Sequence, residues 1–462
     1  MTRKTVLMLL VAIFVAAHTA IAEPTTLSLT EAINLAMRNN HKIQIAQTQV
    51  YQADAEARST AARFFPILKA DGHALWWNDA YEIDVMDFVE VDPAIQVLVD
   101  YIIGDLPPIE LRSDMTTEFN LTAIQPITPL FKVYQGYQAG RAAKTARQAM
   151  ARRTRREITL KTIQAYYQLL SVLEMRDVAQ AAVDTISAHV DQAQEFAKQE
   201  FIGRHELLTA EVELASAQEM LIRAKSGVSL ASSALAHVMG LPLDVELTLT
   251  DRHIEVPGGL PDSLDDAQRL ADLKRDELIA LRAKAKATER LEKLAYWGLT
   301  PDLAAVGRYS YHDGNLLHEE EEMFAGLTME WNFWEWGRQW HTAKAAGWRH
   351  RRANLEAIEA AQLVRLQVKQ QFLRLDSARQ RLAVMDKAVA RATEALRICQ
   401  LRFEENLDTS IDVMDAQTRL TKAKADRIKA EYDVLTGKSE LLLATGADPW
   451  TVESSADRAG DQ

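Results

Sequence analysis

The 462-residue sequence contains a single cysteine, Cys399, and few residues that interrupt a helix. One cysteine excludes an intrachain disulfide framework and a thiolate metal cluster. Only 18 glycines and 12 prolines are present, whereas residues that favour helices, such as Ala, Leu, Gln and Glu, are abundant. The composition therefore predicts long, uninterrupted helices in a chain without disulfides.

The sequence also lacks an excess of positive charge, since its formal net charge is −12. Phosphate binding requires a basic face, so we expect no nucleic-acid partner. The sequence shows no Ser-His-Asp set, no phosphate-binding glycine loop and no zinc-ligand spacing. We therefore expect neither an enzyme nor a bound cofactor.

After residue 22, no stretch contains the about 20 consecutive apolar residues that a membrane-spanning helix needs. Residues 1–22 combine the basic pair Arg3-Lys4, the apolar segment Val6–Ala17 and a small-residue cleavage site, Ala20-Ile21-Ala22. This pattern predicts a secretory signal peptide, with a membrane anchor as the alternative. The apolar segment is short for an anchor, so we expect an exported protein without a transmembrane helix.

The rest of the chain consists of one unit that occurs twice. Residues 117–241 align with 323–447 at a shift of 206 positions, and residues 28–72 align with 263–307 at a shift of 235. The first copy thus has 29 more residues than the second. A repeat of this kind dictates the fold and has to be recognised first. The predicted divisions are a first repeat, a connector, a second repeat and a tail, at residues 23–240, 241–262, 263–447 and 448–462.

Each repeat contains two segments in which apolar and polar residues alternate, the pattern of a strand with one apolar face. The predicted strands cover about residues 66–77, 116–127, 301–311 and 324–334, and tryptophans cluster near their ends. Short alternating strands edged by aromatic residues are typical of outer-membrane β-barrels. A small soluble sheet packed on helices is the alternative. Four strands cannot close a barrel, so a membrane barrel would require strands from several chains.

A long helical hairpin is predicted after each pair of strands, over about residues 135–240 and 337–446. Apolar residues recur there at steps of three and four, which indicates amphipathic helices close to a coiled coil. A helix of about 65 residues is on the order of 100 Å long. This length exceeds what a globular core needs and favours a tube or a span across a compartment.

The loops that join the paired strands are acidic. The longer loop, in the first repeat, holds the 29 additional residues. In the second repeat, His312, His318, Glu319 and Glu320 are candidate ligands of a divalent cation. The alternative is that this charged run is simply solvated, which is the commoner outcome for such a sequence.

Four segments, taken with the duplication, resemble the TolC family of outer-membrane efflux proteins. They are Leu29–Ala36, Pro126–Gly136, Phe333–Arg338 and Ile411–Leu420. The resemblance covers nearly the whole chain after residue 22. It implies a mainly α fold with membrane β-strands, in which a homotrimer forms a 12-stranded outer-membrane β-barrel continued by a periplasmic α-helical barrel.

The function implied by this resemblance is that of an outer-membrane channel, which serves as the exit duct of a tripartite efflux or type I secretion system. Its partners would be outer-membrane lipid, a periplasmic adaptor and an inner-membrane transporter. The protein would lie in the outer membrane and extend into the periplasm. A periplasmic adaptor and a structural coiled-coil protein of the cell envelope are the alternatives.

The resemblance also implies candidate site residues. Asp412 and Asp415 match aspartates that narrow and charge the periplasmic entrance of the family's pore, although Asp412 is also suited to cap a helix. The turns of the two hairpins match the family's adaptor contacts, at Glu200, Phe201, Asn406, Leu407 and Asp408. Glu200 and Asn406 replace the usual glycine of these turns, and glutamate adopts a left-handed conformation poorly. Asp408 stands where many members have an arginine.

Overall fold

The computed structural model of the chain describes residues 25–84, 94–103, 107–251, 259–405 and 407–450. The predicted signal peptide and Asn406 lie outside these ranges. No helix within them is long and apolar enough to cross a membrane.

The chain divides into two compact units, each assembled from separate stretches of sequence. We call them the helical unit and the strand unit. The helical unit comprises the described parts of residues 1–50, 147–281 and 356–462, and the strand unit comprises those of 51–146 and 282–355. Both repeats contribute to both units.

The strand unit contains an antiparallel sheet of four main strands that pair in chain order, with a fifth, short strand beside the second of them. Its strands are Ile67–Trp76 (β2), Ile109–Pro126 (β4), Asp302–Asn315 (β6) and Glu321–Glu330 (β7). The first two form the hairpin of the first repeat and the last two that of the second. β4 pairs with β6, so the two hairpins lie side by side. β2 and β7 are consequently the edges of this sheet.

Four strand ends differ from the sequence prediction by three residues or more. Two of them adjoin the second loop, where β6 ends at Asn315 rather than about 311 and β7 begins at Glu321 rather than about 324. β4 begins at Ile109 rather than near residue 116, because the short strand β3 (Tyr81–Ile83) pairs with its extension. The loop between β3 and β4 contains a helix, α3 (Gln96–Ile103). β7 ends at Glu330 rather than near residue 334. Beyond it the backbone turns through two left-handed residues, Trp336 (φ 51°) and Gly337 (φ 81°), before the next helix begins.

Two helical hairpins dominate the chain. They consist of Pro129–Lys198 (α4) with Arg204–Met239 (α5), and of Arg338–Glu404 (α8) with Ser410–Ala444 (α9). Proline occurs in them only at the first position of α4, where it has no hydrogen bond to lose. Gly240 and Gly446 follow the returning helices at equivalent positions of the repeat, with φ of 72° and 78°.

Each repeat also contributes a pair of shorter helices. The pairs are Leu29–Asn39 (α1) with His41–Ala62 (α2), and Leu264–Lys274 (α6) with Asp276–Trp297 (α7). Ser28 and Ser263, which the repeat aligns, are the N-caps of α1 and α6. A serine hydroxyl accepts a hydrogen bond from a free backbone N–H of the first turn, so the same residue starts both helices.

The largest core of the helical unit surrounds α1. Leu27 and Tyr166 are buried there, and the Tyr166 hydroxyl donates a hydrogen bond to the Leu27 carbonyl oxygen at 3.0 Å. Leu27 ends a short strand, Thr25–Leu27 (β1), that pairs in parallel with Leu247–Leu249 (β5). This pairing attaches the connector between the repeats to the beginning of the first repeat.

Candidate functional site

The first tip is the turn between α4 and α5, residues 199–203. Glu200 adopts φ 63°, the left-handed conformation that glycine tolerates best. This conformation costs a non-glycine residue on the order of 1 kcal/mol. The next N–H, of Phe201, donates to the Phe196 carbonyl oxygen at 2.9 Å, and the two rings meet edge to face. Phe201 remains 63% exposed. Glutamate therefore takes the glycine conformation here and leaves an apolar side chain at the tip.

The second tip is the turn between α8 and α9, residues 405–409. The N–H of Leu407 donates to the Arg402 carbonyl oxygen at 2.8 Å. The Arg402 guanidinium Nε donates to Asp408 Oδ1 at 2.9 Å. Asp408 is thus bonded to the last turn of α8, whereas Leu407 is 63% exposed. Each tip presents one exposed apolar residue, Phe201 or Leu407.

The start of α9 is fixed by Thr409 and Asp412. The Thr409 hydroxyl oxygen accepts from the Asp412 N–H at 3.4 Å, and Asp412 Oδ2 accepts from the Thr409 N–H at 3.0 Å and from its hydroxyl at 2.7 Å. This reciprocal arrangement is a capping box. The bonds from the Thr409 hydroxyl and backbone N–H hold the pKa of Asp412 below its usual range. Asp412 is therefore ionised at neutral pH and serves as part of the cap.

Asp415 lies one turn further along the same exposed face of α9. Its carboxylate is 65% exposed and lies 3.6 Å from the guanidinium of Arg419. The opposite face of this turn packs Val413 and Met414 into the core of the helical unit. The two candidate aspartates therefore share a solvent-facing surface, and the Asp412 carboxylate is in addition held by the Thr409 backbone N–H and hydroxyl.

A buried polar contact lies directly behind the second tip. His189 Nε2 of α4 and Ser410 Oγ of α9 are hydrogen-bonded at 2.8 Å, and the imidazole lies 4.7 Å from the Phe403 ring. Burial lowers the pKa of His189. The contact joins the first hairpin to the second, and sequence reasoning did not identify it. Nor did it identify Thr409, although the pattern Thr-x-x-Asp at 409–412 is a readable capping signal.

The candidate metal ligands lie in the strand unit, in the last part of β6 and in the turn that follows it. His312 is in β6 and His318 is in the following turn, with their ring centroids 5.1 Å apart. The His312 backbone N–H donates a hydrogen bond to the Glu320 carbonyl oxygen, so this contact does not involve the Glu320 carboxylate. Glu319 is exposed. In the described part of the chain, no three His, Cys, Asp or Glu side chains are grouped so that they could hold a metal ion. The cation-site interpretation gains no support from this geometry.

Comparison with protein families decides the identity of the fold. A family model described as "Outer membrane efflux protein" matches residues 32–241 and 269–447, which span both repeats. The chain belongs to this family. Membership confirms the resemblance found in the sequence. A comparison with curated protein sequences gives no significant match.

Solved structures agree with the family assignment. The outer-membrane channel OprN matches with a TM-score of 0.76 and 14% identity, over 91% of this chain and 90% of that one. VceC from Vibrio cholerae matches with a TM-score of 0.75 and 18% identity, over 91% and 96%. The CmeC outer-membrane channel of Campylobacter jejuni matches with a TM-score of 0.74 and 14% identity, over 93% and 88%. These likenesses confirm the predicted fold class.

The family assignment decides between the functions that the sequence left open. The protein is an outer-membrane efflux channel that extends into the periplasm. The adaptor and structural coiled-coil alternatives are not favoured, and the family consists of channels rather than enzymes. Membership also implies assembly into trimers and cooperation with the components of an efflux pump.

Proposed function

We propose that three copies of the chain form a continuous exit duct, in which a periplasmic adaptor and an inner-membrane transporter deliver substrates to the helical tips. The supporting observation is the sheet of the strand unit. Its edge strands β2 and β7 are each paired on one side, and all their residues are exposed. Unpaired backbone groups are not tolerated in lipid, so these edges require strands from neighbouring copies. Three copies would supply 12 main strands.

The periplasmic end of this duct is proposed to be controlled by Asp412 and Asp415. Both side chains are exposed on the first turns of α9. Three copies of these carboxylates around one axis would form acidic rings that attract cations and hinder anions, as charged rings do in selectivity filters. Arg419 offsets part of the charge of Asp415.

The tips themselves are proposed as the adaptor contact. Phe201 and Leu407 are the strongly exposed apolar side chains of the two turns, each 63% exposed. Glu200, Asn406 and Asp408 complete the predicted contact. A buried apolar anchor surrounded by polar residues is the usual anatomy of a protein interface.

The conductance of the purified trimer in a planar lipid bilayer tests this function. We would compare the wild type with Asp412→Asn, Asp415→Asn and the matched control Asp426→Asn, an exposed aspartate further along α9. We expect small cation-preferring steps whose reversal potential shifts toward zero in Asp415→Asn and not in the control. Absence of any channel would refute the duct. A channel that neither entrance variant changes would refute the acidic rings and leave Asp412 as a helix cap.

A second measurement addresses the tips. Site-specific crosslinking from Phe201 and Leu407 to the cognate adaptor should give products in cells, whereas crosslinkers at the exposed residue Leu230 of α5 should not. Equal labelling from all three positions would indicate that the tips are not a specific contact.

A further inference from the structure

The charge of the strand unit is strongly divided between its sheet and its helices. The strands with their outer loops, residues 67–126 and 302–330, contain 19 Asp and Glu but only three Lys and Arg. The rest of the strand unit, residues 51–66, 127–146, 282–300 and 331–355, contains 15 Lys and Arg but only five Asp and Glu. A chain with a net charge of −12 thus concentrates positive charge where its helices adjoin the sheet. Segregation on this scale points to an anionic partner at this level.

An open groove between α7 and α8 lies within this basic region. Its volume is about 400 Å³. Lys344 and Arg351 of α8 line it, and the indole of Trp348 lies between them along the helix, 66% exposed and 5.8 Å from the Arg351 guanidinium carbon. The helices approach closely at Gly347, where an added Cβ would lie 3.0 Å from Glu292 Oε1. The groove therefore combines two cations with an exposed aromatic wall.

The carboxylate of the groove is already engaged. Glu292 Oε2 lies 2.8 Å from His350 Nδ1, and His350 Nε2 lies 2.8 Å from Asn354 Nδ2. The Glu292 carboxylate that lines the groove is therefore already hydrogen-bonded to His350. Lys344 and Arg351 remain the groove's cationic groups, so its chemistry suits a phosphate-bearing ligand with an apolar portion.

The position of the groove along α8 places it next to the membrane interface. α8 begins at Arg338, directly after a run of exposed aromatic residues in 331–336 that suits the boundary between hydrocarbon and water. Lys344 is about 9 Å and Arg351 about 20 Å further along the helix. Side chains of a helix lean toward its N-terminus, here toward the sheet. The headgroup zone of a leaflet is about 5–8 Å thick, and charges act over a further Debye length of about 8 Å.

We propose that this groove binds the headgroup of an anionic phospholipid from the leaflet that adjoins the helices. Lys344 and Arg351 pair with the phosphate oxygens, and the indole of Trp348, which lies between them along the helix, packs against the glycerol of the headgroup. Charge complementarity and continuity with the aromatic band favour a lipid over a soluble anion, because a free phosphate would not need the exposed indole. Clusters of basic residues beside a membrane are a recognised means of binding anionic lipids.

Native mass spectrometry of the full-length trimer in detergent tests the proposal. The trimer is titrated with phosphatidylglycerol and, separately, with phosphatidylethanolamine of the same acyl chains. Two variants probe the groove, Lys344→Gln/Arg351→Gln and Trp348→Ala. The control, Lys387→Gln/Arg391→Gln, removes two exposed cations much further along α8.

We expect the wild type to prefer phosphatidylglycerol. Each basic residue near a membrane surface contributes about fivefold to anionic lipid binding. The double variant of the groove should therefore bind phosphatidylglycerol about five- to twentyfold more weakly, whereas the control should retain the wild-type affinity. Trp348→Ala should weaken the binding of both lipids.

Four outcomes would overturn the proposal. Equal binding of the two lipids by the wild type would remove the role of charge, and an equal loss in the control would make the effect non-specific. Competition by inorganic phosphate at the lipid's own concentration would indicate a site for the free anion. Dissociation of the trimer in the groove variants with an unchanged lipid preference would show that the groove is a contact between copies.

Discussion

Asp276, the first residue of α7, should contribute more to stability than any exposed aspartate of the helical unit. Its side chain is 3% exposed. It accepts hydrogen bonds from Arg152 Nε at 2.9 Å and from Arg156 Nη1 at 2.7 Å, both from α4. Asp276→Ala would leave both guanidinium groups without this acceptor and would remove the ionic link between α4 and the α6–α7 junction.

The expected loss follows from the burial of the three groups. Breaking a buried ion pair by removing one partner costs about 3–5 kcal/mol. Arg152 is 48% and Arg156 is 26% exposed, so water would replace part of the lost interaction. We therefore expect Asp276→Ala to lower the free energy of unfolding by about 3 kcal/mol, the bottom of that range. Asp276→Asn keeps the volume and one acceptor oxygen, so its loss should be smaller.

Denaturant unfolding followed by far-UV circular dichroism measures these losses, at one fixed protein concentration because the stability of an oligomer depends on concentration. The control is Asp177→Ala, which removes a 58% exposed aspartate whose carboxylate lies 2.6 Å from Arg176. Exposed pairs contribute less than about 1 kcal/mol. If Asp276→Ala costs no more than Asp177→Ala, the reasoning from burial is wrong.

Two further predictions concern a histidine and a glycine. Burial lowers the pKa of His189, so this imidazole binds a proton more readily in the unfolded chain than in the native one. The free energy of unfolding should therefore be highest above about pH 6.5 and should decline as the pH falls below it. The free energy of unfolding should fall less between pH 8 and pH 5 in His189→Gln than in the wild type. Equal falls would exclude His189 as a source of the pH dependence. Gly240 has φ 72°, and an added Cβ would lie 2.9 Å from the Asn39 carbonyl oxygen, so Gly240→Ala should cost about 1–3 kcal/mol. Gly227→Ala, whose Cβ would meet nothing within 4 Å, should instead stabilise α5 by up to about 1 kcal/mol, and equal effects would refute the argument.

The features that the sequence predicted best are those set by local rules or by the repeat. The two long helical hairpins follow from their apolar periodicity and the near absence of proline, and the duplication marks both of them. The open sheet also followed, because four alternating strands cannot close. These inferences need no knowledge of which distant residues meet.

The features that the sequence did not predict depend on distant contacts or on strain. His189 and Ser410 are 221 positions apart and meet only because the two hairpins pack together. The extension of β4 exists because β3 pairs with it, which no pattern within residues 109–115 indicates. Glu200 adopts the left-handed conformation that its side chain disfavours, since the packing of the turn outweighs the local preference.

The geometry of α9 separates the two aspartates of the proposed entrance. Asp412 directs Oδ2 toward the backbone and hydroxyl of Thr409, so its orientation is fixed by the helix start. Asp415 makes no such contact with the backbone in the described part of the chain, and its pairing with Arg419 at 3.6 Å is exposed and weak. A carboxylate that can reorient toward a passing cation selects ions more effectively than a carboxylate held by the start of a helix. Asp415→Asn should therefore change selectivity more than Asp412→Asn, whereas Asp412→Asn should loosen the start of α9 and disturb gating.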